Sequence, residues 1–262
     1  MAETQIRFDN GANYERLMGI WSRRAGDVFL DWLKPRANLR WIDVGCGNGA
    51  FTELIVERCA PEQVHGIDPS PAQLGFARTR PTIHAAEFRE GDAMTLPFPD
   101  NSFDAAVMAL VIFFVPEPAK GVAEMARVVR PGGTVAAYAW DMAGGGFPFE
   151  PIQAEMRAMG IAVRRPPSAD ASRIEALRDL WSGAGLEAIE TTQIAVERTF
   201  TDFDDVWTTS LLSPSTGATI AALSPADMDR LKAKLRERLP ADAEGRITCA
   251  GRANAVKGEV PK

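Results

Sequence analysis

The residues with the plainest chemical purpose lie in "LRWIDVGCGNGAF", residues 39–51, where Asp43, Gly45, Gly47 and Gly49 close an apolar run. Glycines so spaced at a strand-to-helix turn let a nucleotide-like ligand approach the backbone. A dinucleotide pyrophosphate, a mononucleotide phosphate and S-adenosylmethionine are all candidates. Gly45, Gly47 and Ala50 also satisfy the dinucleotide spacing G-x-G-x-x-A, which keeps a nicotinamide or flavin oxidoreductase open. Asp43 bears on the choice: a carboxylate two residues before the first glycine meets a pyrophosphate with like charge, yet suits the ammonium or sulfonium side of S-adenosylmethionine. The plainer reading is that Asp43 only caps the turn.

Two further acids follow at the expected strand ends. Asp68 closes "VHGID", ahead of Pro69 and Ser70, and is placed to accept from two ribose hydroxyls, which either cofactor offers. Asp92, in "FREGDAMTLPFPDNSFD", is placed to accept from an adenine exocyclic amine, with Ala93 and Met94 giving backbone and apolar contact; alternatively it belongs to a solvated turn. An acid after each of three strands is more than a dinucleotide site requires. Cys46 and Asn48 lie between the motif glycines, and Cys46 reads as a small side chain packed in the turn rather than a redox centre. His65 and His84 read as structural or surface residues, so no general base is nominated.

These residues need a sheet to hold them. From Trp41 to Trp140, short apolar runs alternate with helical stretches, the pattern of a parallel sheet covered on both faces. Strands are expected at 39–44, 63–67, 85–90, 103–110 and 133–140, with helices in "AFTELIVERC", "SPAQLGFARTR" and "PAKGVAEMARVV". Ser70 and Pro71 make a cap and first-turn pair, and "RPGG" at 130–133 ends the third helix. Ahead of the sheet, Leu17, Ile20, Trp21, Val28, Leu30 and Leu33 recur at helical spacing up to Pro35. After it, Phe149, Ile152, Met156 and Met159 predict a short amphipathic helix. A helix near 172–182 and a strand near 186–196 extend the sheet. Ser224, Pro225 and Asp227 start a helix that Leu223 staples onto through Met228 and that Pro240 ends. The tail "GRITCAGRANAVKG" supplies a last strand of imperfect alternation.

"WIDVGCGNG", "GIDPS", "EGDAMTLPFPDNSFDAAV" and "ARVVRPGGTVAAYAW", in this order and spacing, resemble the class I S-adenosylmethionine-dependent methyltransferases, in the small-molecule branch that includes ubiquinone and menaquinone biosynthesis enzymes. The resemblance covers residues 38–140 strongly. It implies an α/β, Rossmann-like fold: a seven-stranded, mostly parallel sheet with an antiparallel last strand, helices on both faces, and N-terminal helices and an α-helical insertion covering the site. One domain results, with a helical cap at 1–37, a cofactor-binding core at 38–140, and completion of the sheet with cap insertions at 141–262. Carried over, Asp43, Gly45, Gly47 and Gly49 floor the methionine moiety, Asp68 holds the ribose, and Asp92 with Ala93 holds the adenine. Ala109 and Leu110, at the end of strand four, pass the methyl-bearing sulfur towards the acceptor. Apart from the resemblance, Tyr14, Met18 and Trp21 are expected to close over the cofactor and Trp140, Phe147, Phe149 and Trp207 to line the acceptor pocket, the plainer reading being that these aromatics are ordinary core. Phe113 departs from the pattern, since many relatives carry histidine there, which keeps open a non-catalytic S-adenosylmethionine-binding module.

Composition excludes other classes. The 262 residues are 46% hydrophobic, enough for a full core, and carry a net charge of -6 without a Lys/Arg run, so nucleic acid is not an expected partner. Cys46, Cys59 and Cys249 form no C-x-x-C pair, which supports neither metal nor disulfides. No apolar stretch approaches a bilayer span, and the cytoplasm is the default expectation. The expected partner is a small, apolar or aromatic methyl acceptor.

Overall fold

The structure, a computed structural model, describes residues 11–81, 86–214 and 216–262; His84 and the expected first residue of the third strand lie outside them. Seven strands form one sheet: β1 (Arg40–Val44), β2 (Gln63–Asp68), β3 (Ala86–Glu90), β4 (Phe103–Ala109), β5 (Val129–Trp140), β6 (Glu187–Phe200) and β7 (Ile247–Glu259). Their order is β3-β2-β1-β4-β5-β7-β6, and β7 is antiparallel to both neighbours. Strand order therefore reverses between β1 and β4, which places a ligand crevice at their carboxyl ends.

The imperfect alternation of the tail has a physical cause. Ile247–Arg252 pairs only with β6, so one face of that half meets water and burial alternates residue by residue. Ala253–Glu259 is flanked by β5 as well, and Ala253–Val256 is buried without a break. β5 begins at Val129, ahead of the start expected at Gly133 from "RPGG". Val129 already pairs with Phe103, and a register shift between Phe103 and Ala105 absorbs the glycine turn.

The helices α1 (Gly11–Tyr14) and α2 (Ile20–Leu33) are joined by a π-turn over Glu15–Gly19, making one long N-terminal helix. Its buried stripe is Leu17, Trp21, Ala25, Phe29 and Leu33, at steps of four. Ile20 and Val28, expected on that face, are 42% and 40% exposed. The stripe was hidden because its centre is small: a Cβ at Gly26 would stand 2.7 Å from Leu54 and 2.8 Å from Phe51, so α2 packs directly on α3 (Ala50–Cys59).

The remaining helices are α4 (Pro71–Ala77), α5 (Pro118–Val128), α6 (Glu150–Ala158), α7 (Ile174–Gly183), α8 (Phe203–Ser210), α9 (Gly217–Ala221) and α10 (Pro225–Arg238). The caps fall where the sequence puts them. Ser70 accepts from the Gln73 N–H, and the Ser224 Oγ accepts from the Asp227 N–H at 3.1 Å. No helix among the described residues is long and apolar enough to cross a membrane.

Candidate active site

Two adjoining cavities open at the carboxyl ends of β1, β4 and β5. The first, about 310 Å³, is walled by Asp43, Gly45, Cys46, Gly47, Asn48, Ala50 and Phe51 of the β1–α3 turn, with Tyr14, Ser22, Ala109 and Tyr138 opposite. Gly45 sits at φ +75°, and a Cβ there would come 2.5 Å from both methyls of Val111, so the turn tolerates only glycine. Gly47, at φ +53°, has nothing within 4 Å of the same position, which leaves its backbone bare to the cavity.

Asp43 is fully buried at the cavity wall. Its Oδ2 accepts from the Thr52 hydroxyl at 2.6 Å, and its Oδ1 has no partner among the described residues. Burial pushes the carboxyl up to about 7, against the hydrogen bond from Thr52 and with the help of the nearby Asp68 charge. An orphaned carboxylate oxygen in a polar wall calls for a cationic donor and repels phosphate.

Asp68 is buried at the end of β2 and stands behind the turn. Its Oδ2 accepts from the Gly47 N–H and its Oδ1 from the Ser70 N–H, both at 2.9 Å. Burial raises its pKa, and those two N–H groups oppose the rise. The carboxylate thus fixes Gly47 and the start of α4, while each oxygen keeps a free lone pair. Gly49, Pro69 and Ser70 support this arrangement from outside the cavity wall. Asp92 is exposed, and its Oδ1 accepts from the Met94 N–H at 2.8 Å in a tight turn with Ala93 at its apex. None of Asp92, Ala93 and Met94 lines either cavity.

Cys46 packs inward; a Cβ at Gly66 would meet its Sγ at 2.8 Å, and burial holds the thiol well above its ordinary pKa. Asn48 is buried, its Oδ1 accepting from the Ala50 N–H and its Nδ2 donating to Glu15 at 2.7 Å. Arg80 pairs with the same Glu15 carboxylate, with Glu53 at 2.7 Å, and with the Asn48 carbonyl at 2.7 Å. This network ties the π-turn to the glycine turn. Nothing in the local spacing announces it, because Glu15, Asn48 and Arg80 are far apart in sequence. Arg198 completes the attachment by donating to the carbonyls of Arg16 at 3.0 Å and Leu17 at 3.5 Å. A π-turn disturbs the regular carbonyl ladder, and a buried guanidinium satisfies it here.

Tyr14 lines both cavities. Its hydroxyl bonds the Ser22 side chain, and burial pushes its pKa up to about 12, so it stays a proton donor. Tyr138 donates to the Ser22 carbonyl at 3.4 Å. Ser22, unremarked in the sequence, links the two tyrosines.

The second cavity, about 560 Å³, lies beyond Tyr14 and has walls from Leu17, Met18, Leu110, Phe113, Phe114, Trp140, Met142, Phe147 and Pro166, with Gln153, Arg164 and Ser213 as its polar members. Leu110 holds φ +61°, rare for a branched residue, and is pinned by donating its N–H to the Tyr138 carbonyl at 2.7 Å. That strained turn sends Ala109 to one cavity and Leu110 to the other. Of the aromatics expected at the acceptor, Trp140 and Phe147 line this space. Phe149 and Trp207 do not: Phe149 is buried against Phe147 and Phe200, and Trp207 stacks on Phe203 beneath Lys232. Trp21, expected over the cofactor, is core, edge-on to Trp140 at 6.2 Å. Met18 faces the second cavity rather than the first. His65 lies on β2 between Phe98 and Phe103, and burial lowers its pKa.

Residues 42–137 match the methyltransferase-domain family. Over that span the chain is similar to methyltransferase domains. A rice chloroplastic 2-methyl-6-phytyl-1,4-hydroquinone methyltransferase (Oryza sativa subsp. japonica) is 45% identical over 119 residues, 44% of this chain and 33% of that protein. The demethylmenaquinone methyltransferase of Thermus thermophilus is 36% identical over 115 residues, 43% of this chain and 50% of that protein. The chain thus spans half or less of the length of these relatives. Among solved structures, the YcgJ protein of Bacillus subtilis superposes with TM-score 0.60 at 18% identity over 91% of this chain and 98% of its own. A Haemonchus contortus phosphoethanolamine N-methyltransferase 2, solved with S-adenosyl-L-methionine, gives 0.56 at 19% identity over 96% of this chain and 56% of its own. The matched span carries both the glycine turn and the strand-four turn, while much of the second cavity is built by segments outside it.

Proposed function

We propose that this protein moves a methyl group from S-adenosylmethionine to a small apolar or aromatic acceptor. The observation that carries the reading is the pair of cavities meeting at Tyr14 and the Ala109–Leu110 turn, one polar with an orphaned buried carboxylate and one apolar. The first cavity suits the cofactor on the chemistry of its own walls. Asp43 Oδ1 offers an ammonium its missing partner, the bare backbone at Gly47 admits close approach, and no Lys or Arg among the described residues lines the space to hold a pyrophosphate. When bound, S-adenosylmethionine supplies an electrophilic methyl on a sulfonium, which an acceptor displaces in line.

The chain's share of the work is alignment and exclusion of water. Tyr14, capping both spaces, shields their junction. Leu110 and Phe113 fix the approach from the acceptor side, and Ala109 leaves room for the reacting atoms because it is small. Neither histidine nor lysine nor glutamate lines either cavity among the described residues, the Asp43 carboxylate lines only the first cavity and is set against the cofactor's ammonium, and the Tyr14 hydroxyl is too weak an acid to serve as a base near neutrality. The acceptor therefore ionises by itself. With a series of phenols or thiols at saturating cofactor, the break in the kcat/KM profile for the acceptor should follow each acceptor's own pKa; a break fixed at one pH for every acceptor would reveal an enzyme base.

Calorimetric titration tests the cofactor assignment. S-adenosylmethionine and S-adenosylhomocysteine are expected to bind and NADH not to, and Asp68→Ala should weaken both by about tenfold or more through loss of its hold on Gly47. Binding of NADH alone would assign the turn to an oxidoreductase.

A further inference from the structure

The second cavity is apolar in all but three of its lining residues, and one of the three is Arg164. No carboxylate lines that space among the described residues, and Arg164 makes no hydrogen bond or ion pair with any of them. Arg165, next in the chain, does not line the cavity, and three other arginines near the site are committed: Arg80 to Glu15 and Glu53, Arg198 to the carbonyls of the π-turn, and Arg252 to Asp141 at 2.8 Å. Arg164 is also held in place. Its loop follows α6, where the Ile161 N–H donates to Met156 at 2.9 Å, and is closed by Ser168, which donates its N–H to the Phe113 carbonyl at 3.0 Å and its hydroxyl to Val115 at 2.7 Å. Pro166 and Pro167 stiffen the span between, and Pro166 is itself buried in the cavity wall.

The cavity therefore has a direction. Leu17, Met18, Leu110, Phe113 and Trp140 are buried, and Leu17, Met18 and Leu110 follow closely in the chain on Tyr14 and Ala109, which line the cofactor cavity, whereas Arg164 is exposed. Nearby Gln153, buried in the same wall, adds a neutral polar group. A guanidinium forms paired hydrogen bonds with carboxylate, sulfonate or phosphate oxygens, and does so more strongly where apolar walls exclude water on one side.

We propose that Arg164 makes the acceptor pocket selective for amphiphilic monoanions, whose apolar body enters towards Tyr14 and whose anionic group stays at the rim on the guanidinium. This rests on the methyltransferase reading only in naming the bound molecule as the acceptor; the anion site stands on the cavity alone. The anionic group is an anchor and the methylated atom belongs to the buried end.

The probe pair is 2-naphthoate and 2-naphthalenemethanol, which share an apolar body and differ in charge. Affinities are read by ligand fluorescence at low and high salt, with and without S-adenosylhomocysteine, for the parent, Arg164→Ala and Arg164→Lys. The parent is expected to prefer the naphthoate by about tenfold at low salt and less at high salt. Arg164→Ala should abolish the preference while leaving affinity for the alcohol within about twofold, and Arg164→Lys should restore part of it. An equal or greater affinity of the parent for the alcohol, a preference that survives in Arg164→Ala, or no binding of either probe would each overturn the proposal. If S-adenosylhomocysteine fails to bind while the Arg164-dependent preference persists, the cofactor assignment falls and the anion site stands.

Discussion

Asp43 shows how one side chain joins stability to ligand binding. Its neutral form is favoured by burial, so its native pKa of about 7 lies above the ordinary 3.8. A carboxyl whose pKa rises on folding adds stability that is complete below the unfolded value and is lost as pH climbs through the folded one. The window therefore runs from about pH 4 to about pH 7. Asp43→Asn removes this titration, and its melting temperature relative to the parent should move in the variant's favour as pH rises across that window; thermal melts at matched ionic strength check this. Binding runs the other way. A ligand ammonium needs the ionised carboxylate, so affinity for S-adenosylhomocysteine should rise between about pH 5.5 and 7.5 in the parent and stay flat and weaker in Asp43→Asn, until the ligand's own amine loses its proton. The sequence made the position of Asp43 plain, as it did Gly45 and Gly47, since strand, acid and glycines are contiguous. It left Ser22 and Thr52 unmarked, because a single hydroxyl on a helix carries no spacing signal.

At the scale of elements, the N-terminal helix is held over the site by polar contacts at its π-turn and by small residues along α2. Glu15 meets both Asn48 and Arg80. Glu15→Ala should leave the fold intact, because α2 stays packed through Trp21, Ala25 and Phe29, yet weaken S-adenosylhomocysteine binding by about fivefold. Hydrogen exchange should quicken over residues 11–19 and not over β1 or β4. Unchanged exchange there would mean the ion pairs do not hold the segment. The helix itself was legible from apolar spacing, but its face was not: Ile20 and Val28 suggested a stripe one step away from the true one. Ala25 and Gly26 contribute to packing by being small, a property that a hydrophobic pattern does not register. Caps were more transparent, as at Ser70 and Ser224, since their hydrogen bonds close within three residues.

Across the whole molecule, local signals specified the parallel half of the sheet and the crevice where its order reverses. The placement of β7 between β5 and β6 is a long-range matter, and its half-alternating sequence makes sense only once both neighbours are known. The second cavity was the least legible part. Its walls come from the N-terminal helix, the β4 end, the β5 end and the loops after it, so Phe149 and Trp207 look as suitable in sequence as Phe147 and Trp140. Only the folded chain separates lining from core. We propose that the Ala109–Leu110 turn and Tyr14 make two cavities into one reaction site, and that the polar one receives S-adenosylmethionine with Asp43 as partner to its ammonium. A crystal structure grown with S-adenosylhomocysteine tests that claim most directly. The predicted result is the ligand amine within about 3 Å of Asp43 Oδ1 and the sulfur at the junction beside Tyr14 and Ala109. A ligand bound elsewhere, or an amine turned away from a still unpartnered Asp43, would contradict it.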